Sequence, residues 1–280
     1  MPSRISIAAD ALHRGRIHAY GAHRDQRCEL RLPAGRDAGD GPFPVVAVIH
    51  GGYLHTKFSK IVMRPVCADL TRRGWATWNI EYRRLGPRSG GGWPMTFDDV
   101  AAAIDLLAEV DAPLDLDRLI VLGHSAGGHL ALWAAGRPRI AEGMPGAAPR
   151  VAPVAAIAQA AVADLERGTF LTRPGGVGRA LIGGGPEEVP ERYAAANPRR
   201  MVALPVPVLL VHGEEDRTVT VAQSRDYLAA NHAAGGTGEL VVPPDTAHRT
   251  HIDPRSRAWA AVTSRIDALL KQATAAPDPA

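Results

Sequence analysis

The stretch Leu119-Ile120-Val121-Leu122-Gly123-His124-Ser125-Ala126-Gly127-Gly128-His129-Leu130-Ala131-Leu132-Trp133-Ala134-Ala135 decides the reading of this chain. Its opening Leu-Ile-Val-Leu run has no polar interruption and reads as a strand buried on both faces, while the apolar residues after Gly128 read as a helix. Between them stands G-x-S-x-G, a strand-turn-helix arrangement known as a nucleophile elbow. The glycines are there because the turn is too tight for side chains, and the serine is expected to sit in a strained conformation that projects its hydroxyl outward. Ser125 is therefore the candidate nucleophile.

A serine hydroxyl attacks only when a base takes its proton, and the base needs a carboxylate to fix its tautomer. Both must lie elsewhere in the chain. Val206-Pro207-Val208-Leu209-Leu210-Val211 reads as a buried parallel strand that runs into His212-Gly213-Glu214-Glu215-Asp216. That turn offers Asp216 as the orienting acid, with Glu214 and Glu215 as rivals. The short strand Glu239-Leu240-Val241-Val242 then leads to His248, which a loop after the last strand can carry back over the elbow in the chain order serine, acid, histidine. His251, three residues on, is its competitor.

Acyl transfer also needs donors aimed at the oxygen that becomes negative. The strand Phe43-Pro44-Val45-Val46-Ala47-Val48-Ile49 delivers His50-Gly51-Gly52-Tyr53, where glycine lets backbone N–H groups approach closely. The donors expected are the N–H groups of Gly52, Tyr53 and Ala126, with His50 bracing the loop.

Taken together, His50-Gly51-Gly52-Tyr53, Glu81-Tyr82-Arg83, Gly123-His124-Ser125-Ala126-Gly127-Gly128, His212-Gly213-Glu214-Glu215-Asp216 and His248 resemble the α/β-hydrolase superfamily. Within it they resemble the esterase branch of kynurenine formamidase-like and hormone-sensitive-lipase-like enzymes, over about residues 25 to 270. That resemblance implies Ser125 as nucleophile, Asp216 as acid and His248 as base. The chain departs from the pattern at Leu54-His55-Thr56, and at Arg249, where relatives often carry an aromatic residue; both positions are expected to line the acyl or leaving-group pocket.

Apolar and amphipathic segments alternate from residue 45 to 271, which predicts a mostly parallel sheet flanked by helices, with early strands near 5–8 and 28–32 and a final helix over 256–271. Residues 1–272 are read as one α/β domain, with a short cap over about 164–204 and an unstructured tail over 273–280. The formal charge of +3 (32 basic against 29 acidic residues) is spread without a basic block, so no nucleic-acid partner is expected. The amino terminus lacks an export-type apolar core and no stretch approaches a membrane span, so a cytoplasmic location without membrane association is expected. The two cysteines, Cys28 and Cys67, read as reduced and buried. No His, Cys or carboxylate cluster has metal-ligand spacing, so neither metal nor cofactor is expected.

For the substrate pocket the candidates are Tyr53, Leu54, His55, Trp93, Phe170 and Leu171, an apolar and partly aromatic set suited to a small molecule with an aryl or medium acyl group. These readings converge on a serine hydrolase of small carboxylic esters or aryl formamides working through an acyl-enzyme. The alternatives are an acyltransferase or cyclising enzyme with the same triad, and a non-catalytic binder on a hydrolase scaffold. Sequence sets no oligomeric state.

Overall fold

Two interleaved sets of side chains run down the central strands. Val45, Ala47 and Ile49 enter one apolar core, and Val46 and Val48 enter the other; Leu119 and Val121 part from Ile120 and Leu122 in the same way. Alternate residues of a strand point to opposite faces, so a run with no polar residue is what a sheet covered on both sides requires. The computed structural model describes residues 9–10, 12–34 and 41–275. Its strands are β1 (Arg16–Ala19), β2 (Arg27–Arg31), β3 (Phe43–Ile49), β4 (Ala76–Ile80), β5 (Leu114–His124), β6 (Ala155–Gln159), β7 (Val208–Val211) and β8 (Gly238–Val241). They form one sheet in the order β1-β2-β4-β3-β5-β6-β7-β8. The β1–β2 and β2–β4 pairs are antiparallel, and every pair from β4–β3 to β7–β8 is parallel.

The connecting helices are α1 (Arg64–Arg72), α2 (Met95–Asp105), α3 (Ala126–Gly136), α4 (Thr169–Thr172), α5 (Val177–Ile182), α6 (Pro190–Ala196), α7 (Ala222–Ala233), α8 (Arg257–Thr263) and α9 (Ile266–Thr274). Phe97 of α2, Leu130 and Trp133 of α3 and Tyr227 of α7 pack into one core. Val66 and Leu70 of α1, Trp259 of α8 and Leu269 of α9 fill the other. Cys28 and Cys67 are both buried and free, one in each core, so the sheet itself separates them.

Registry places the functional loops. Ile49 pairs with Gly123, His124 with Gln159, Gln159 with Val211 and Val211 with Val241. The carboxyl ends of five parallel strands thus form one row, and the loops that leave them meet above it. Such a row is where open α/β sheets gather their chemistry.

One sequence expectation changes, and two fall wholly or partly on residues outside the described set. The strand expected near 5–8 lies outside the described residues, and the antiparallel edge among the described residues is β1, whose residues are largely exposed and carry no core pattern. The single helix expected over 256–271 is two, α8 and α9. At their junction the hydroxyls of Thr263 and Ser264 donate to the carbonyls of Ala260 and Ala261, at 3.4 and 3.3 Å, a local bonding pattern that competes with helix propagation. Of the residues expected to be an unstructured tail over 273–280, 273 and 274 belong to α9, and 276–280 lie outside the described set.

The excursion between β6 and β7 carries α4, α5 and α6, helices too short to leave a periodic signature. Asn197 ties its ends: the side-chain amide donates to Asp164 Oδ1 at 2.9 Å and Glu166 Oε2 at 3.0 Å, and its Oδ1 accepts the Leu165 N–H at 3.1 Å. Among the described residues no helix is long and apolar enough to cross a membrane.

Candidate active site

Ser125 stands between β5 and α3 with φ 57° and ψ −120°, a positive-φ conformation that a non-glycine residue adopts only under constraint. The constraint is packing. A Cβ on Gly123 would stand 1.9 Å from the Gly127 carbonyl oxygen, and one on Gly127 would stand 2.1 Å from that of Ile49. No side chain fits at either position, so the turn closes hard against β3. The Ser125 N–H donates to the Gln159 carbonyl at 2.8 Å, pinning the strained residue to the neighbouring strand.

His248 Nδ1 lies 2.6 Å from Asp216 Oδ2, and His248 Nε2 lies 2.9 Å from Ser125 Oγ. Asp216 Oδ1 accepts the N–H groups of Thr218 and Val219, at 2.8 and 2.9 Å. Burial alone would raise the Asp216 carboxyl; hydrogen bonds from His212, His248 and the Val219 N–H outweigh it and hold the group well below the usual carboxylate range. An ionised Asp216 can only accept, so the proton resides on His248 Nδ1 and the Nε2 lone pair faces the serine hydroxyl. The rivals are elsewhere. Glu214 and Glu215 are solvent-exposed, and Glu214 pairs with Arg225 at 3.8 Å.

His251 is buried and does not reach the serine. Its Nε2 accepts the Gly213 N–H at 3.0 Å, which leaves Nδ1 protonated to donate to the His248 carbonyl at 3.0 Å. His124 Nε2 donates to the same carbonyl at 2.9 Å. Burial pushes both imidazoles down, His124 to about 3 and His251 to about 4, so both remain neutral donors. The Gln159 side-chain amide holds the His251 carbonyl at 2.9 Å. Sequence reasoning missed His124 and Gln159 and weighed His251 only as a rival base, not as a support of the His248 carbonyl; the one available signal for this tier was the three-residue spacing from His248 to His251.

The loop after β3 is braced from below. His50 is fully buried, with Nδ1 facing Gly51 O at 2.7 Å and Nε2 facing Glu81 Oε1 at 2.8 Å. Tyr82 stacks on its ring at 4.5 Å and donates its hydroxyl to the His50 carbonyl at 2.7 Å. Burial opposes the Glu81 charge, yet His50 and Arg84 together hold its carboxyl below the ordinary value. Gly52, Tyr53 and Leu54 follow with φ of 114°, 54° and 55°. Among the described residues the Gly52 and Tyr53 N–H groups find no protein acceptor. A Cβ on Gly51 would sit 2.6 Å from the His124 carbonyl, which shows how tightly this loop lies on the elbow.

Ser125 opens on two pockets. One, with about 390 Å³ of empty space, is bounded by Leu54, Ala126, Val162, Phe170, Leu171 and Leu181 among others. The second, about 790 Å³, is bounded by Gly52, Phe58, Val62, His248, Arg249 and Ile252 among others. Tyr53 borders both and is half exposed. Three expected lining residues border neither: Thr56 donates its N–H to the Leu85 carbonyl at 3.3 Å, and His55 and Trp93 are likewise turned to other partners. His55 accepts the Lys57 N–H at 3.3 Å and forms a bridge with Leu85, while Trp93 packs on Phe97 with ring centroids 5.4 Å apart. His129 lines the smaller pocket unforeseen; its Nδ1 donates to the Val162 carbonyl at 3.1 Å, and burial pushes the ring down to about 4. Among the described residues no group of three or more His, Cys, Asp or Glu is arranged to hold a metal.

A mostly parallel sheet with two flanking helix layers and a strained serine at the central strand-helix turn is the α/β-hydrolase fold. Solved structures agree at the level of fold. A truncated carbohydrate esterase from gut microbiota superposes with a TM-score of 0.76 at 19% identity, covering 92% of this chain and 95% of that one. Esterase B from Lactobacillus rhamnosis gives 0.77 at 22% identity, covering 93% and 86%. The thermophilic esterase Est2 of the planctomycete Thermogutta terrifontis gives 0.72 at 23%, covering 92% of each chain. Residues 30–230 match the BD-FAE family, and the chain belongs to it. Among curated proteins, the monoacylglycerol lipase of Mycolicibacterium smegmatis is 36% identical over 84 residues, which is 30% of this chain and 26% of that protein. The chain thus matches about a quarter of that relative's length.

Proposed function

We propose that this protein is a serine hydrolase that cleaves small carboxylic esters through an acyl-enzyme, with Ser125, His248 and Asp216 as its triad. The observation that carries this is His248 itself, bonded at Nδ1 to an ionised carboxylate at 2.6 Å and at Nε2 to a strained serine hydroxyl at 2.9 Å. In that arrangement His248 takes the Ser125 proton as Oγ attacks the ester carbonyl carbon. The oxyanion that forms is received by the N–H groups of Gly52, Tyr53 and Ala126. Collapse breaks the bond to the alcohol, which leaves with the proton from His248. Water then attacks the acyl carbon, again giving its proton to His248, and releases the acid and free Ser125.

The same geometry supports a division of labour between the two pockets. The leaving oxygen must receive a proton from His248, so the alcohol lies in the pocket that His248 borders and the acyl chain lies opposite, in the smaller apolar pocket. The excursion over 164–204 is read as the cap, supplying Phe170 and Leu171 to the acyl wall. A wall of Leu54, Val162, Leu171 and Leu181 favours a short apolar acyl group, and the small volume disfavours long chains. Esterase relatives support this range, since Est2 has been solved with propionate and with butyrate bound. Formamides of aryl amines use the same chemistry and fall within the reading.

The test is p-nitrophenyl acetate and butyrate together with a fluorophosphonate probe, followed by N-formyl anilines. Turnover of the esters, with labelling that maps to Ser125 and disappears in Ser125→Ala, is the expected result. Labelling at another residue, or turnover unaffected by Ser125→Ala, overturns the proposal.

A further inference from the structure

Arg249 follows the proposed base directly and borders the pocket assigned to the leaving alcohol. It is the only permanently charged residue on that pocket; the rest are glycine, apolar, aromatic, hydroxyl or imidazole groups, with no carboxylate among them. Three acids of the flanking loops are engaged by other cations, while Glu215 is exposed to solvent. Asp253 pairs with Arg255 at 2.8 Å, Asp245 with Arg257 at 3.3 Å, and Glu214 with Arg225 at 3.8 Å. Asp216 is bound to His248. Arg249 is exposed and has no ion-pair partner among the described residues.

A lone guanidinium beside a reaction centre biases which ligands collect there. It is always charged at working pH and presents a planar fork of donors that matches a carboxylate or sulfonate oxygen pair. The walls beside it, Phe58, Val62 and Ile252, favour a flat or apolar body.

We infer that Arg249 selects esters whose leaving alcohol is a hydroxyaryl or similarly apolar body carrying an anionic group, with the anion on Arg249 and the body against Phe58, Val62 and Ile252. This rests on the serine-hydrolase reading and names its substrate class on the alcohol side. The acyl side is unaffected, because Arg249 does not border the smaller pocket.

The experiment compares 4-acetoxybenzoate with its uncharged isostere 4-acetoxybenzamide in the wild type, Arg249→Gln, Arg249→Lys and Arg249→Glu. The readout is the ratio of kcat/KM for the anionic ester to that for the neutral one, each corrected for spontaneous hydrolysis. Expressing every variant's ratio relative to wild type cancels the intrinsic reactivity of the two esters. Arg249→Gln is expected to lower the ratio by about two- to fivefold, the size of one solvent-exposed charge interaction. Arg249→Lys should retain most of it and Arg249→Glu should lower it further. Raising NaCl to ~0.5 M should shrink the wild-type ratio towards that of Arg249→Gln, since the screening length falls to a few ångströms. Turnover of both esters with one common ratio across the four proteins overturns the inference and leaves the hydrolase reading standing. No turnover of either ester by the wild type overturns both.

Discussion

His251 Nδ1 lies 3.0 Å from the carbonyl oxygen of His248 and donates to it, so the second histidine of the His-x-x-His pair acts on the backbone of the first. Its other nitrogen is occupied by the Gly213 N–H. With both nitrogens used and the ring fully buried, His251 has no lone pair to offer a substrate. His248→Ala is therefore expected to lower kcat by roughly 10⁴-fold or more, with the Ser125→Ala/His248→Ala double variant little worse than either single, because the pair acts as one unit. His251→Ala should cost far less, roughly tenfold, through a loosened His248 loop. Its signature should be restored labelling by fluorophosphonate at high probe concentration. Equal losses in the two single histidine variants would remove the distinction.

Strain at Ser125 gives a stability prediction that activity alone does not. With φ at 57°, a Cβ at this position is unfavourable, and glycine relieves it. Ser125→Gly should therefore be more stable than Ser125→Ala by about 1 kcal/mol, net of glycine's larger loss of backbone freedom, although both lack the proposed nucleophilic hydroxyl. Differential scanning calorimetry of the two inactive variants checks this. A Ser125→Ala protein that melts above Ser125→Gly would mean the elbow stores no strain.

The Asp216 environment separates three neighbouring carboxylates. Asp216 accepts four contacts, from His248, Thr218 N, Val219 N and, at 3.5 Å, His212 Nε2. Asp216→Asn presents an amide that cannot hold His248 with its proton on Nδ1, and kcat should fall by up to roughly 10⁴-fold. Glu214→Gln and Glu215→Gln, both exposed, should change kcat by less than about twofold, the range of surface substitutions remote from the chemistry. Steady-state kinetics on p-nitrophenyl acetate distinguishes them, and a crippled Glu215→Gln would move the acid role.

Legibility followed physical periodicity. Strands β3 and β7 and the Leu119–Leu122 half of β5 are unbroken apolar runs, so their carboxyl ends, and with them Gly52, Ser125 and Asp216, could be placed from sequence to within a residue or two. Helix α3 spans 126–136 as its pattern indicates. The half-exposed edge strand β1 has neither an apolar run nor alternation, and α4 to α6 are too short for a helical period, so none of them left a pattern to read. Lining residues were the weakest part. His55 and Trp93 are close to the site in sequence, yet the Leu85 bridge and the Phe97 contact turn them aside. No spacing rule encodes such contacts. The supporting roles of His124, Gln159 and His251 were hidden for a related reason: these residues serve His248 through carbonyl oxygens, which carry no residue identity.

The buried imidazoles also set how stability responds to acid. Burial pushes His124 down to about 3, and His129 and His251 to about 4, whereas in the unfolded chain each titrates near the ordinary value of about 6.5. Between those limits the unfolded state binds more protons than the folded one, so stability rises with pH. Their contribution is fully present above about 6.5 and is lost as pH falls towards 4. Asp216, held below the usual carboxylate range, acts in the same direction at still lower pH. From about pH 7 to 5 each buried imidazole should remove on the order of 1–2 kcal/mol, so the three together should give a steep fall in Tm. The attribution is checked with His129→Gln, which removes one titrating ring from the smaller pocket's wall without touching the His248 carbonyl. Its Tm should start lower at pH 7 and fall less between pH 7 and 5 than that of the wild type, by about one proton's worth of slope. A wild-type Tm that is flat across this interval, or a His129→Gln slope equal to the wild type's, would show that these rings do not remain neutral in the folded protein.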